Sequence, residues 1–249
     1  MAELAADLVR RKVDIIVAPG SAVGALAAKA LTTTIPIVFS TSGDPVQLGL
    51  VTSLKRPGGN VTGLNDMSSE LVPKQLGLLH ELLPAAARFG VLVTQSNYWS
   101  EGLRRDAQAS AAAMARQVDI FFADTGQEIE AFAELVQKRI DAVLVPSDVV
   151  LAGRQTQILT LAARHALPAL YYARDWPAAG GLMSYGPPPN DLARQAGLYT
   201  GRILKGEKPA DLPVMRATRF EFIINLATAR AIGLAVPATL LARADEVIE

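Results

Sequence analysis

Short apolar runs alternate with helix-patterned stretches along nearly the whole chain, at a spacing of roughly 25–30 residues. That rhythm constrains the fold more than any other feature. Parallel strands cannot be joined by a tight turn, and the connection they need is usually a helix. Residues 13–18, 35–39, 61–64, 89–94, 118–123, 142–145, 169–172 and 220–224 read as strands. Several, such as Ala142-Val143-Leu144-Val145, are apolar at consecutive positions, as strands buried on both faces are. Helices are expected at 22–31, 47–54, 70–83, 100–116, 127–139, 151–165 and 192–204, with a helical tail after the last strand. Pro73 is tolerable in the first turn of its helix, where its missing N–H has no partner to lose. The fold class is α/β, with parallel sheets flanked by helices.

Two stretches break the rhythm, near residues 63–69 and at 176–189, and they bracket four regular βα units. An inserted second lobe explains this, with the chain crossing over and then returning. The expected division is lobe 1 at 1–65 plus 186–215, lobe 2 at 66–185, and a hinge strand with a helical tail at 216–249. One long doubly wound sheet is the competing arrangement.

Composition removes several function classes. Lys+Arg and Asp+Glu stand at 24 each, without the basic stripe that nucleic acid demands. Half the residues are hydrophobic, yet no apolar run approaches the roughly 20 residues of a membrane span, so no membrane insertion is expected. There is no cysteine, hence no thiolate metal site, disulfide or cysteine nucleophile. The two histidines, His80 and His165, have no metal-ligand spacing. No nucleophile elbow, P-loop or dinucleotide fingerprint is present; Gly20-Ser-Ala-Val-Gly24 lacks the lysine of the one and the glycine spacing of the other. Binding suits this chain better than catalysis, with no cofactor and no metal.

In open parallel sheets, ligands sit outside the carboxyl ends of the strands. Polar loops occupy those ends: Pro19-Gly20-Ser21, Ser40-Thr41-Ser42, the loop from Asn97 to Ser100, and Pro146-Ser147-Asp148. Helix N-termini follow three of them, where exposed N–H groups favour an anion such as a carboxylate. Ser21 and Ser100 read either as helix N-caps or as ligand donors. Asp148 either caps the helix after it or meets a ligand ammonium. Asp44, before Pro45, reads as a turn residue. Tyr171, Tyr172, Trp176 and Tyr185 cluster late in the second lobe, where they would wall an apolar ligand or be buried in the core.

Three stretches carry a family resemblance: Thr34-Ile35-Pro36-Ile37-Val38-Phe39, Gly43-Asp44-Pro45-Val46 with Gly49-Leu50-Val51, and Arg56-Pro57-Gly58-Gly59-Asn60-Val61-Thr62-Gly63. Lys74-Gln75-Leu76, Ile203-Leu204-Lys205-Gly206, Pro209-Ala210-Asp211-Leu212-Pro213 and Ile224-Asn225 follow in order. The chain resembles the ABC transporter substrate-binding proteins of the tryptophan/tyrosine type. The resemblance implies a type I periplasmic-binding-protein fold of two α/β lobes with the ligand in the cleft. It implies an importer's receptor for a carboxylate-bearing solute, an aromatic or branched amino acid, with permease subunits as partners. Carried over by position, Ser21, Ala22, Ser40, Thr41 and Ser42 would hold the carboxylate. Asp148 would meet the amine and the loop from Asn97 to Ser100 the side chain; Tyr172 and Tyr185 are the aromatic candidates that residue type adds to the site. Relatives act in the periplasm or tethered by lipid outside the cell. This chain opens on an amphipathic helix with Leu4, Ala5 and Leu8 on one face, no signal peptide is visible, and lobe 1 is expected to lack its first β-α-β elements. The alternative function is the ligand-sensing effector module of a transcriptional regulator.

Overall fold

The computed structural model describes residues 1–20, 22–94, 100–124 and 126–249, leaving aside the side chains of Ser100, Glu101 and Ile129. In chain order the elements are α1 (Ala2–Arg10), β1 (Ile16–Ala18), α2 (Ala22–Leu31), β2 (Ile37–Thr41), β3 (Val61–Asn65), α3 (Val72–Leu82), β4 (Arg88–Val93), α4 (Ser100–Ala113) and β5 (Gln117–Phe122). Then come α5 (Glu128–Gln137), β6 (Ala142–Val145), α6 (Val149–Ala152), α7 (Gln155–Arg164), β7 (Ala169–Tyr171), α8 (Asp175–Ala178) and β8 (Met183–Gly186). The chain closes with α9 (Pro189–Leu204), β9 (Met215–Arg216), β10 (Glu221–Asn225), α10 (Leu226–Ala231), α11 (Ala238–Leu241) and β11 (Glu246–Ile248). It forms two compact units, Met1–Met67 with Pro189–Thr218, and Ser68–Pro188 with Arg219–Glu249. The described strands form two separate sheets, not one long one.

Unit 1 holds a four-stranded sheet, ordered β1-β2-β3-β9 with every neighbouring pair parallel. Successive residues of β2 point to opposite faces. Ile37 and Phe39 pack with Ala25, Ala28, Leu50 and Val61, while Val38 packs under Tyr199 and Ile203 of α9. A strand covered on both faces must be apolar throughout, which is why Ile37-Val38-Phe39 is. Asn60 explains the end of the Arg-Pro-Gly-Gly-Asn turn: its Nδ2 donates to the Thr32 and Ile35 carbonyls at 3.1 and 2.7 Å, seating β3 beside β2. Gly63, paired with Phe39, closes that contact; a Cβ there would lie 2.1 Å from the Phe39 carbonyl oxygen. β1 is an edge strand, and Leu4, Val17 and Leu31 are exposed.

Unit 2 holds a seven-stranded sheet, ordered β11-β10-β8-β7-β6-β4-β5. β10 runs antiparallel to β8; the other pairs are parallel. One face packs Val91, Leu144 and Phe222 against Leu76 and Leu79 of α3. The other packs Val143, Val145 and Tyr171 against Phe132 of α5 and Ile158 of α7.

The structure departs from the sequence expectation in several places. Residues 47–54 are turns, not a helix: Leu48 and Leu50 donate to the Asp44 and Pro45 carbonyls, and the single turn ends at Gly49. The Gly/Pro-rich stretch from 176 conceals β8, whose four residues are too few to show a period. The helix expected at 151–165 is divided into α6 and α7, with Gly153 and Arg154 between them. The segment from Arg219 belongs to unit 2, and its tail adds a strand, β11, beside β10.

Two substitutions test this packing by chemical denaturation. Gly63→Ala forces β2 and β3 apart and should cost more than about 2 kcal/mol of stability. Gly77→Ala, in the body of α3 with open space where its Cβ would go, should add about 0.5–1 kcal/mol.

Candidate ligand-binding site

In unit 1 the carboxyl ends of β1, β2 and β3 lie side by side, because the three strands are parallel and in register. The Gly20 N–H donates to Ser40 Oγ at 2.6 Å, tying the loop after β1 to the end of β2. Ala22, buried, opens α2, a ten-residue helix with no acidic side chain in its first turn. The positive end of its dipole is therefore not neutralised by its own side chains. Ser21 lies outside the described residues. Thr41 is buried, and its Oγ1 accepts the Gly43 N–H at 3.3 Å. Ser42 Oγ donates to Asp66 Oδ2 at 2.9 Å, and the Asp66 N–H donates back to the Thr41 carbonyl at 3.0 Å. Next to Asp66, Met67 adopts a left-handed φ of 62°, held by its N–H donating to Asn65 Oδ1 at 2.7 Å. Non-glycine residues in that region concentrate where the surroundings over-determine them, often at ligand sites. Asp44 Oδ1 accepts the Val46 and Gln47 N–H groups, the turn role expected of it.

In unit 2 Asp148 follows β6 as the N-cap of α6. Its Oδ1 accepts the Val150 and Leu151 N–H groups at 2.7 and 3.1 Å, and its Oδ2 accepts the Thr94 hydroxyl at 2.6 Å. The residue is 8% exposed. As N-cap of α6 it fills the first of the two roles open to it in the sequence. Its neighbour Val149 is 61% exposed, an apolar side chain presented at the same strand end. Ser100 opens α4, and Asn97 lies outside the described residues.

The aromatic residues divide. Tyr171 stacks on Trp176 with ring centroids 4.5 Å apart, and both are core. Tyr172 stands edge-on to Trp176 at 6.1 Å and is half-buried. Tyr185 lies against Phe220 and Phe222. Burial raises its hydroxyl pKa, the Asp245 carboxylate adds to that, and Arg243 opposes it. Its ring contacts are thus with β10 and the segment before it.

Three charged groups at these strand ends escaped the sequence reading. Asp66 follows β3 directly, so the strand-end rule applied to the other loops would have found it. Glu128 is fully buried after β5, accepting the Gly126 N–H and pairing with Arg154 at 3.3 Å. Arg174, after β7, pairs with Glu221 and Glu246 at 3.3 and 2.7 Å, and Arg219 also pairs with Glu221. The pairs of Glu128 with Arg154 and of Arg174 with Glu221 and Glu246 join positions far apart in sequence, and no local pattern signals them. Among the described residues no group of three His, Asp or Glu side chains could hold a metal ion, and no helix is long and apolar enough to cross a membrane.

Two parallel α/β units with polar loops at their strand ends are the architecture of the type I periplasmic-binding-protein fold. The chain belongs to the ABC transporter substrate binding protein family, whose sequence profile matches residues 1–248. This family binds solutes and does not transform them. A tyrosine-binding protein of Clostridioides difficile (strain R20291) is 31% identical over 232 residues, 93% of this chain; the chain spans 66% of that relative's length, just under two thirds. The structure of an ABC domain from Streptococcus pneumonia in complex with L-Trp is similar at a TM-score of 0.89 and 27% identity, covering 99% of this chain and 85% of that one. A conserved domain protein of Vibrio cholerae O1 biovar eltor gives a TM-score of 0.90 at 28% identity, covering 99% and 82%.

Two outcomes check the local account. Asp148→Ala removes the α6 cap and the Thr94 acceptor, and should cost about 1–2 kcal/mol in denaturant melts. Tyr171→Phe tests burial of the phenol. Desolvation raises the Tyr171 pKa above its ordinary 10.0. The folded state therefore holds that proton more tightly than the unfolded state, and stability falls as pH rises past about 10. The variant should lose less stability than the parent between pH 9 and 11, measured by thermal melts.

Proposed function

We propose that this chain is the solute receptor of an ABC importer and that its ligand is a free amino acid with an aromatic side chain. The observation that carries this reading is the 31% identity to a tyrosine-binding protein across 93% of the chain. A relative solved with L-Trp supports the same ligand class. The ligand carboxylate is received at the N-terminus of α2, beside the Gly20–Ala22 segment, with the Ser40 hydroxyl turned toward it. Ser40 Oγ already accepts the Gly20 N–H, which leaves its own proton to give. Thr41 and Ser42 shape that strand end through their hydrogen bonds to Gly43 and Asp66. Considered by itself, unit 2 presents the exposed Val149 and the half-buried Tyr172, apolar surface of the kind that meets aromatic side chains. Tyr185 is assigned to the sheet face. Ligand binding holds the receptor in the form that permease subunits recognise, outside the cytoplasmic membrane.

Thermal-shift titration of the chain with L-tryptophan, L-tyrosine, L-phenylalanine and L-leucine, with glucose as control, tests the reading. A ligand present at 100 times its Kd adds about 2.7 kcal/mol to the native state, a clear rise in Tm. At least one aromatic amino acid should produce it. No shift with any amino acid would contradict the proposal.

A further inference from the structure

An amino acid brings an ammonium group as well as a carboxylate, and Asp148 has little left to offer it. Its oxygens already accept two backbone N–H groups and the Thr94 hydroxyl, and it is buried. We propose that Asp66, at the carboxyl end of β3 in unit 1, is the residue that takes the ligand's ammonium group. This rests on the amino-acid-receptor reading above.

Three observations carry the assignment. First, Asp66 is partly exposed at a strand end, where ligands of parallel sheets sit. Its backbone is pinned to the end of β2 by the bond from its N–H to the Thr41 carbonyl. Second, Ser42 gives its hydroxyl proton to Asp66 Oδ2. A serine has one proton to donate, so Ser42 meets any further partner as an acceptor. A ligand carboxylate placed there would face an acceptor and a negative charge. An ammonium, with three donors and a positive charge, complements both. Third, the pairing of Thr41 with Asn65 sets Ser42 beside Asp66, between the ends of β2 and β3, while the Gly20–Ser40 bond lies between the ends of β1 and β2. The two seats are thus one strand spacing apart, about 4.8 Å. That spacing suits the adjacent carboxylate and ammonium of an α-amino acid. The serine loop expected to hold only the carboxylate is thereby divided: Ser40 faces the anion and Ser42 the cation.

The test pairs each amino acid with the analogue that lacks only the ammonium: L-tryptophan with indole-3-propionate, and L-tyrosine with 3-(4-hydroxyphenyl)propanoate. Isothermal titration compares the wild type with Asp66→Asn, Asp148→Asn and Ser42→Ala. Loss of one charge-assisted hydrogen bond corresponds to about 10- to 100-fold in affinity. Asp66→Asn should weaken the amino acid by that factor while leaving the analogue as tight or tighter. Ser42→Ala should weaken the amino acid selectively by a smaller factor, which keeps the test decisive if Asp66→Asn folds poorly. Equal weakening of both compounds by Asp66→Asn, no selectivity from Ser42→Ala, or the selective loss appearing with Asp148→Asn would overturn the assignment alone. A wild-type chain that binds none of the four compounds would instead remove the receptor reading, and the assignment with it.

Discussion

The parallel ladder between β2 and β3 is the constraint on which the unit 1 site depends. Five register pairs, from Ile37 with Val61 to Thr41 with Asn65, carry the two strands to a common end. Asn60 starts that alignment and Gly63 permits its closeness. At the far end the alignment delivers Ser42 to Asp66 and leaves Ser40 to meet Gly20 from β1. Shifting the register of β3 by one residue would turn its buried side chains to the opposite face and move Asp66 away from Ser42. The motif that runs from Arg56 to Gly63 is therefore a device for placing strand ends.

The two units use acidic groups for different purposes. In unit 2 Asp148 and Glu128 satisfy backbone N–H groups at loop and helix starts, and such buried carboxylates are tolerable because these hydrogen bonds, with the Arg154 ion pair on the other oxygen of Glu128, replace lost hydration. Breaking such a group's contacts leaves an uncompensated polar atom in the protein interior, so these residues hold loop geometry. In unit 1 Asp66 remains partly open to solvent while bonded to Ser42, the condition in which a carboxylate can still meet a charged ligand group. Burial and partners separate the two cases; residue type does not.

Much of the fold was legible because its signal is local. Seven parallel strands announced themselves as apolar runs, and the turn at Arg56–Asn60 and the capping of α6 by Asp148 follow from residue types at fixed offsets. What escaped lacked such a signal. β8, β9 and β11 have four, two and three residues, too short for periodicity, and they exist because neighbouring strands supply hydrogen bonds from distant parts of the chain. The failed helix at 47–54 had suitable residues but one turn ending in Gly49. For the site, the strand-end rule located Ser40 through Ser42 and Asp148, but it could not reveal that Asp148 is filled by Thr94 or that Ser42 belongs to Asp66. Those are pairings 54 and 24 residues apart in sequence, set by the sheets.

A crystal structure of the chain grown with L-tryptophan or L-tyrosine would test the central claim most directly. The account predicts one bound amino acid with its carboxylate at the start of α2 near Ser40 and its ammonium within hydrogen-bond distance of Asp66. A ligand bound with its ammonium on Asp148, or seated away from the ends of β1, β2 and β3, would contradict it.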